Sequence, residues 1–437
     1  MRHTRIITAS FLCIISFAGL GQTGWINQTP SSEYPGLFGI CAVDSAHVWA
    51  VGNDHEGTVT EEIVLRSTNG GDSWDIVNTG FNERFTGVIF INCDTGFISG
   101  QAADDEPFII RSFDAGQNWQ RLDIRASVIT TVNDIEFHRS ESEDSIFMYV
   151  AGGLGYVWKS KDLGDSWNVL SGGCRNGNFN ACFFIDKNTG WFVGTPDAQY
   201  NNSIMVTRNG GVDFTEQINP EQRKLNEVSF ANADTGIVVG LSSTILYTKN
   251  GGETWENKPN TGYRWQSVQL TASGRAWAVG NDGTIGYSTD YGYSWEIQES
   301  GMEGYELWDV SFINDNEGWI VGGGIGSPGI VLHTTTGGAG TTEIDPDDPG
   351  GIFSLGQNYP NPFTRTTRIR YKIETPGMIT ISLYNVLGNR LEYLVNEYKP
   401  QGAYTIDFMN DHYPRGIYFY ELKAGSELIQ TRRMIIL

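Results

Sequence analysis

An eight-residue pattern returns along this chain and limits what it can fold into. It reads Ser/Thr-x-Asp/Asn-x-Gly-x-Ser/Thr-Trp, with small departures, and it occupies Ser67–Trp74, Ser112–Trp119, Ser160–Trp167, Thr207–Phe214, Thr248–Trp255 and Ser288–Trp295. A worn copy follows at Thr334–Gly338. The central glycines, from Gly71 to Gly338, stand roughly 40 to 48 residues apart. A second pattern alternates with the first: Val-x-Phe, a short polar turn, then Gly-Trp-x-Val-Gly, as in Val228–Gly240 and Val310–Gly322. Each half alternates apolar and polar residues, the signature of a half-buried strand. One repeat is therefore a four-stranded antiparallel meander, and strands recurring at this period are propeller blades. The expected fold class is all-β: a seven-bladed β-propeller followed by a small C-terminal β-sandwich.

The polar turn has a physical logic that asks for no substrate. Its Asp or Asn (Asn69, Asp114, Asp162, Asn250, Asp290) caps backbone N–H groups inside the turn. The glycine takes a positive φ without strain, and the closing Trp is a large apolar anchor between sheets. The last copy lacks its Ser-Trp strand, but Thr23–Asn27 near the N-terminus resembles Asp72–Ile76. This predicts that the N-terminal segment supplies the outer strand of the last blade and closes the ring, leaving no open edge.

Composition sets the domain boundaries. Residues 1–21 carry Arg2 and Arg5, then an apolar run from Ile6 to Leu20, and read as a signal peptide. Residues 22–338 form the propeller. Residues 339–351, rich in Gly, Pro and Asp, read as a linker, and 352–437 as a separate domain. The formal net charge is -22, yet ten Lys/Arg outnumber seven Asp/Glu from Gly351 onward. The acidity belongs to the propeller, which argues against nucleic acid or an anionic membrane as its partner. Beyond the leader the cysteines are Cys41, Cys93, Cys174 and Cys182. Cys174 and Cys182 flank a polar loop and are close enough in sequence to pair. Alternatively, Cys182 is a small buried hydrophobe at the Val position of its strand. No Cys/His spacing suggests zinc, and no metal or cofactor is assigned.

From Ile352 the pattern changes to a turn-rich opening, Asn358–Phe363 (NYPNPF), followed by alternating strands. Leu383–Gly388 (LYNVLG), Gly402–Phe408 (GAYTIDF), Pro414–Tyr420 (PRGIYFY) and Arg433–Leu437 (RMIIL) complete it. This module resembles the type A C-terminal sorting domain of the Bacteroidetes type IX secretion system. Asn358, Pro360, Pro362, Gly388, Gly416, Tyr418 and Arg433 carry the sorting motif. The resemblance implies export by the type IX machinery, removal of the domain, and a product that is secreted or attached to the cell surface. No membrane span is expected in the mature chain. The body, with its Trp-x-Val-Gly and polar-turn repeats (the Asp-box, or BNR repeat), is similar to the seven-bladed photosystem II assembly factor family.

Sialidases share the Asp-box, but this chain has no Phe-Arg-Ile-Pro motif and no HExxH. A formal GxGxxG at Gly324–Gly329 precedes a strand and not a helix, so it does not read as a nucleotide loop. Glycoside hydrolysis needs two carboxylates across a cleft. The loops after Trp-x-Val-Gly offer Asp54, Glu56, Asp104, Asp105, Glu106 and Asp197 without pairing them. No catalytic residue is assigned. The loops between blades carry Arg84, Arg175, Arg223, Lys224, Arg264, Trp265, Tyr305 and Trp308, the residue types that dominate recognition surfaces. The expected function is non-catalytic recognition of a protein or glycan at or outside the cell surface. The alternative is a secreted glycoside hydrolase of the Asp-box propeller type.

Overall fold

In the computed structural model, the Val-x-Phe, Trp-x-Val-Gly and Asp-box segments pair as four-stranded antiparallel sheets, seven of them before residue 340. The structure describes residues 24–338 apart from 32–33, 54–61, 103–105, 125–130, 141–144, 172–176, 196–202, 259–261 and 324–327. It also describes 353–436 apart from 356–357, 359–362, 364, 374, 387, 401, 411 and 426. The expected signal peptide and linker lie outside the described residues, as do Arg175, Cys174, Pro360 and Pro362.

The inner strands of blades 1 to 7 are Leu37–Ala42, Arg84–Phe90, Val132–Ser140, Asn178–Phe184, Leu225–Phe230, Trp265–Leu270 and Leu307–Phe312. Each contacts the inner strands on both sides, and blade 7 contacts blade 1, so the ring is closed. Blade 7 takes its outer strand from the N-terminus: Gly24–Asn27 pairs antiparallel with Ile330–Gly338. The Gln28 N–H donates to the Val331 carbonyl at 2.8 Å, and the Val331 N–H donates to Thr29 Oγ1 at 3.0 Å.

The repeat patterns explain how one blade grips the next. The aromatic of the Trp-x-Val-Gly strand stacks on the Phe that ends the next blade's inner strand. Ring centroids are 4.1 Å apart for Trp49 and Phe90, 3.6 Å for Trp191 and Phe230, and 3.6 Å for Trp277 and Phe312. Tyr149 replaces Trp in blade 3 and stacks on Phe184. The Asp-box aromatic meets this stack edge-on, as Trp119 does with Trp49 and Phe90, and Trp25 does with Phe312. Such pairs add about 0.5–1.5 kcal/mol each beyond the area they bury.

Within the Asp-box the serine or threonine hydroxyl accepts the glycine N–H, at 2.8 Å for Gly71 and 2.9 Å for Gly116, while Asn69 and Asp114 accept the N–H four residues on. The worn copy keeps the first bond: the Gly338 N–H reaches Thr334 Oγ1 at 2.8 Å. Basic side chains one blade back donate to these turns, as Arg111 does to the Leu163 carbonyl and Lys159 to that of Gly210. Arg66, which donates to the Ala115 carbonyl at 3.0 Å, and Arg111 are thus used in the scaffold.

The glycine of Trp-x-Val-Gly is a steric requirement. A Cβ at Gly52, Gly100, Gly194, Gly240 or Gly280 would fall on a backbone carbonyl at the entry to the same blade's inner strand.

The C-terminal unit, residues 341–437, is a β-sandwich. One sheet holds Phe353–Leu355, Thr366–Ile373 and Gly402–Met409. The other holds Arg390–Lys399, Gly377–Asn385, Gly416–Ala424 and Glu427–Ile436. Ile369, Ile381, Leu383, Tyr420 and Met434 are among the side chains of their shared core.

Candidate functional site

The seven inner strands line a central channel of about 610 Å³. Each strand carries a bulge near its start, and regular pairing resumes at Gly39, Gly87, Asp134, Ala181, Glu227, Ser267 and Asp309. A bulge adds one residue and re-aims its neighbours. These seven positions therefore lie at one level, near the end of the channel where the loops between blades enter. Three of them are acids. Glu136, two residues beyond Asp134, shares its face of the strand and lines the channel deeper in.

The acids join blades as well as facing the cavity. Asp134 accepts the N–H groups of Ile135 and, across the blade interface, Cys182, both at 2.8 Å. Asp309 accepts from Val310 at 2.8 Å, Ile40 of blade 1 at 2.9 Å and the Ser267 hydroxyl of blade 6 at 2.9 Å. Glu227 accepts the Val228 N–H at 2.9 Å.

Burial raises every one of these carboxyls. Asp309 is pushed up to about 6, mainly by loss of solvent, with a smaller push from the charge of Asp134. Desolvation likewise raises Asp134, and desolvation plus the Asp134 charge drives Glu136 and Glu227 well above the ordinary carboxyl value. Where it is ionised, as above its pKa of about 6, Asp309 within these low-dielectric walls focuses a negative potential at the mouth. Cys182 is a buried free thiol beside Asp134, and its pKa is raised well above the usual value by burial and that charge. The expected pairing with Cys174 falls on a residue outside the described ones, while Cys182 itself is buried as the hydrophobe reading expects.

Two families match this chain. Residues 357–437 match the secretion system C-terminal sorting domain, and residues 215–297 and 260–377 match the photosynthesis system II assembly factor YCF48. The chloroplastic photosystem II stability/assembly factor HCF136 of Arabidopsis thaliana is 23% identical over 302 residues, covering 63% of this chain and 71% of that protein. The photosystem II assembly lipoprotein Ycf48 of Picosynechococcus is 23% identical over 308 residues, covering 67% and 82%. Among solved structures, YCF48 bound to D1 peptide superposes with a TM-score of 0.56 at 17% identity, over 74% of this chain and 100% of that one. YCF48 from Cyanidioschyzon merolae gives 0.53 at 19% identity, over 71% and 98%. The propeller is thus similar to YCF48 propellers, and its tail matches a secretion-system C-terminal sorting domain.

On the propeller, the residues expected at the rim divide by exposure. Arg223 and Lys224 are exposed on the loop entering blade 5. Arg264 is exposed on the loop entering blade 6, but it is bound to Glu306 at 2.8 Å. Arg84 is half-buried at blade 2, three blades from blade 5. Tyr305 is half-buried and packs against the core between blades 6 and 7. Trp308 lines the channel, donates to the Gly323 carbonyl at 2.9 Å and packs on Phe38.

Trp265 is a correction. It is 0% exposed and belongs to the core between blades 5 and 6, so it offers nothing to a ligand. As the residue just before the bulge of its inner strand it occupies a position that is buried in every blade, held by Leu37, Phe85 and Leu225 elsewhere. The loop acids after Trp-x-Val-Gly, apart from exposed Glu106, fall outside the described residues.

In the sorting domain, Asn358 is buried and donates to Thr367 Oγ1 at 3.0 Å, and Tyr418 is buried with its hydroxyl on the Pro414 carbonyl. Gly388 takes a φ of 78° in its turn, while Gly416 and Arg433 are exposed on adjacent strands.

The channel acids escaped sequence reasoning. Their signal was present: Asp134, Glu227 and Asp309 each stand directly before the Val or Ile of the Val-x-Phe segment. The alternation makes that position look like an outward polar residue, and the closed ring of inner strands turns that face into a channel wall.

Proposed function

We propose that this chain is an exported, non-catalytic propeller that recognises a protein segment docked over the channel mouth, on the face built from the loops between blades. The observation that carries this reading is the ring of Asp134, Glu227 and Asp309 at that mouth, with exposed Arg223 and Lys224 beside it. A cationic side chain of the bound segment enters the acidic mouth, while the basic loop residues engage acidic or backbone groups around it. A YCF48 structure that holds a peptide supports a peptide-binding use of this kind of propeller. The tail that matches a secretion-system sorting domain supports delivery outside the cell or to its surface.

The test is capture of surface and secreted proteins from the producing bacterium by the wild-type chain, with bound peptides identified after crosslinking. Asp309→Asn keeps an acceptor for the Ile40 N–H and removes the charge. Together with Arg223→Ala/Lys224→Ala it is expected to cut capture at least about tenfold, the loss of about 1.4 kcal/mol that one interfacial charge contact carries. Undiminished capture by both variants would sink the proposed face. Release of reducing ends from a polysaccharide panel would replace the reading with glycoside hydrolysis. Export is tested separately: deletion of 352–437 is expected to leave a folded propeller in the periplasm, and normal surface delivery would overturn the sorting role.

A further inference from the structure

On the opposite face, where the Asp-boxes lie, two turns of neighbouring blades bring together three different metal-binding side chains. Asp44 and His47 sit in the turn between the first two strands of blade 1, and Cys93 sits in the equivalent turn of blade 2. His47 Nδ1 is 2.9 Å from Asp44 Oδ2 and 3.6 Å from Cys93 Sγ, and Cys93 Sγ is 3.5 Å from Asp44 Oδ2. We propose that Asp44, His47 and Cys93 form a binding site for a borderline-soft divalent metal, zinc foremost, clamping blade 1 to blade 2.

The geometry is close to what tetrahedral zinc requires. With Zn–S near 2.3 Å and Zn–N and Zn–O near 2.0–2.2 Å, ligand atoms on one tetrahedral face stand about 3.6 Å apart for N···S and O···S, and about 3.4 Å apart for N···O. The two sulfur distances already match. The His–Asp contact needs to open by about half an ångström, a small rotation of side chains that are 36% and 47% exposed.

The carboxylate is preorganised for this. Asp44 Oδ1 accepts the backbone N–H groups of Ala46 and His47, each at 2.8 Å, and both carboxylate oxygens lie 2.9 Å from His47 Nδ1, with Oδ2 also facing the sulfur. Such fixing of a ligand from behind strengthens metal sites.

One sulfur, one imidazole and one carboxylate favour zinc, copper or nickel over calcium or magnesium, which take oxygen ligands. Three protein ligands at a partly exposed surface leave the fourth position to water. Binding displaces the thiol proton of Cys93, and the imidazole coordinates as the neutral base through Nδ1.

The experiment uses the full chain, purified under a phosphine reductant and stripped with a chelator. Zinc alone is titrated against a chromophoric competitor, and cobalt is substituted to reveal a thiolate-to-metal charge-transfer band. One equivalent of zinc is expected to bind, with the charge-transfer band present. Cys93→Ser and His47→Gln are each expected to weaken binding at least about tenfold, and Cys93→Ser to abolish the band. His412→Gln, a change in the C-terminal unit, is expected to leave both unchanged. Urea midpoints in the absence of metal establish that each variant is folded. Absence of saturable one-equivalent binding overturns the proposal. So does a band and an affinity that persist in folded Cys93→Ser.

Discussion

Removing the Trp25 side chain tests the ring closure most sharply, because a single residue near the N-terminus holds the seam between the two ends of the propeller. Trp25 is 4% exposed. Its ring meets Phe312 edge-on with centroids 5.9 Å apart, and its Nε1 donates to Gln298 Oε1 at 3.1 Å. Trp25→Ala leaves a cavity against Gly338, whose Cβ position the indole now covers. Burying a Trp and leaving a void on its loss costs about 3–5 kcal/mol. The hydrogen bond adds little, because Gln298 keeps its bond to the Gly337 carbonyl at 3.0 Å. The working figure is about 4 kcal/mol, out of about 5–15 kcal/mol for a typical domain. Urea unfolding followed by tryptophan fluorescence reads this as a lower midpoint at unchanged slope. Ile26→Ala, on the same strand but 59% exposed, is the matched control and should shift the midpoint little. A Trp25→Ala loss below about 1 kcal/mol would refute the reasoning, since a side chain this buried cannot be removed so cheaply unless the seam is already open.

The remaining expectations concern the Asp-box, the rim and the channel. Ser160 is 0% exposed, and its hydroxyl accepts the Gly164 N–H at 2.8 Å, so Ser160→Ala should cost about 1–3 kcal/mol by orphaning that donor; a neutral midpoint would reject the capping account. Trp265→Ala should cost about 3–5 kcal/mol, while Arg264→Ala, which breaks only an exposed ion pair, should cost about 0–1 kcal/mol; a reversed order in urea melts would contradict the core placement of Trp265. Asp309 is raised from 3.8 to about 6, so the folded protein holds its proton more tightly than the unfolded chain does. That contribution is complete below pH about 4 and is lost as the pH rises to about 6. Asp309→Asn should flatten the pH dependence of the urea midpoint in that window, and an unchanged slope would show that Asp309 does not titrate as described.

Fold class was legible because the determinants are local and repeated. Ser67, Asn69 and Gly71 make their turn from within four residues, and six further turns repeat the arrangement with small changes, so the period announces the blades without knowledge of any long-range contact. The Trp-x-Val-Gly strand was legible for the same reason, since its Trp and its Gly meet the same kinds of neighbour in successive blades. Positions set by a bulge or by ring closure were not legible. Trp265 looked like a loop aromatic because it follows Tyr263 and Arg264 at a boundary, whereas in the fold it is the first buried residue of an inner strand. Asp134, Glu227 and Asp309 stand roughly 80 to 90 residues apart in sequence, and they share one level of the channel only because seven bulged strands are brought into a ring. Asp44 and His47 meet Cys93 only because neighbouring blades align equivalent turns. Periodicity along the chain specifies what each blade is, while the angular placement of blades around a common axis specifies which side chains meet, and that information resides in packing between blades.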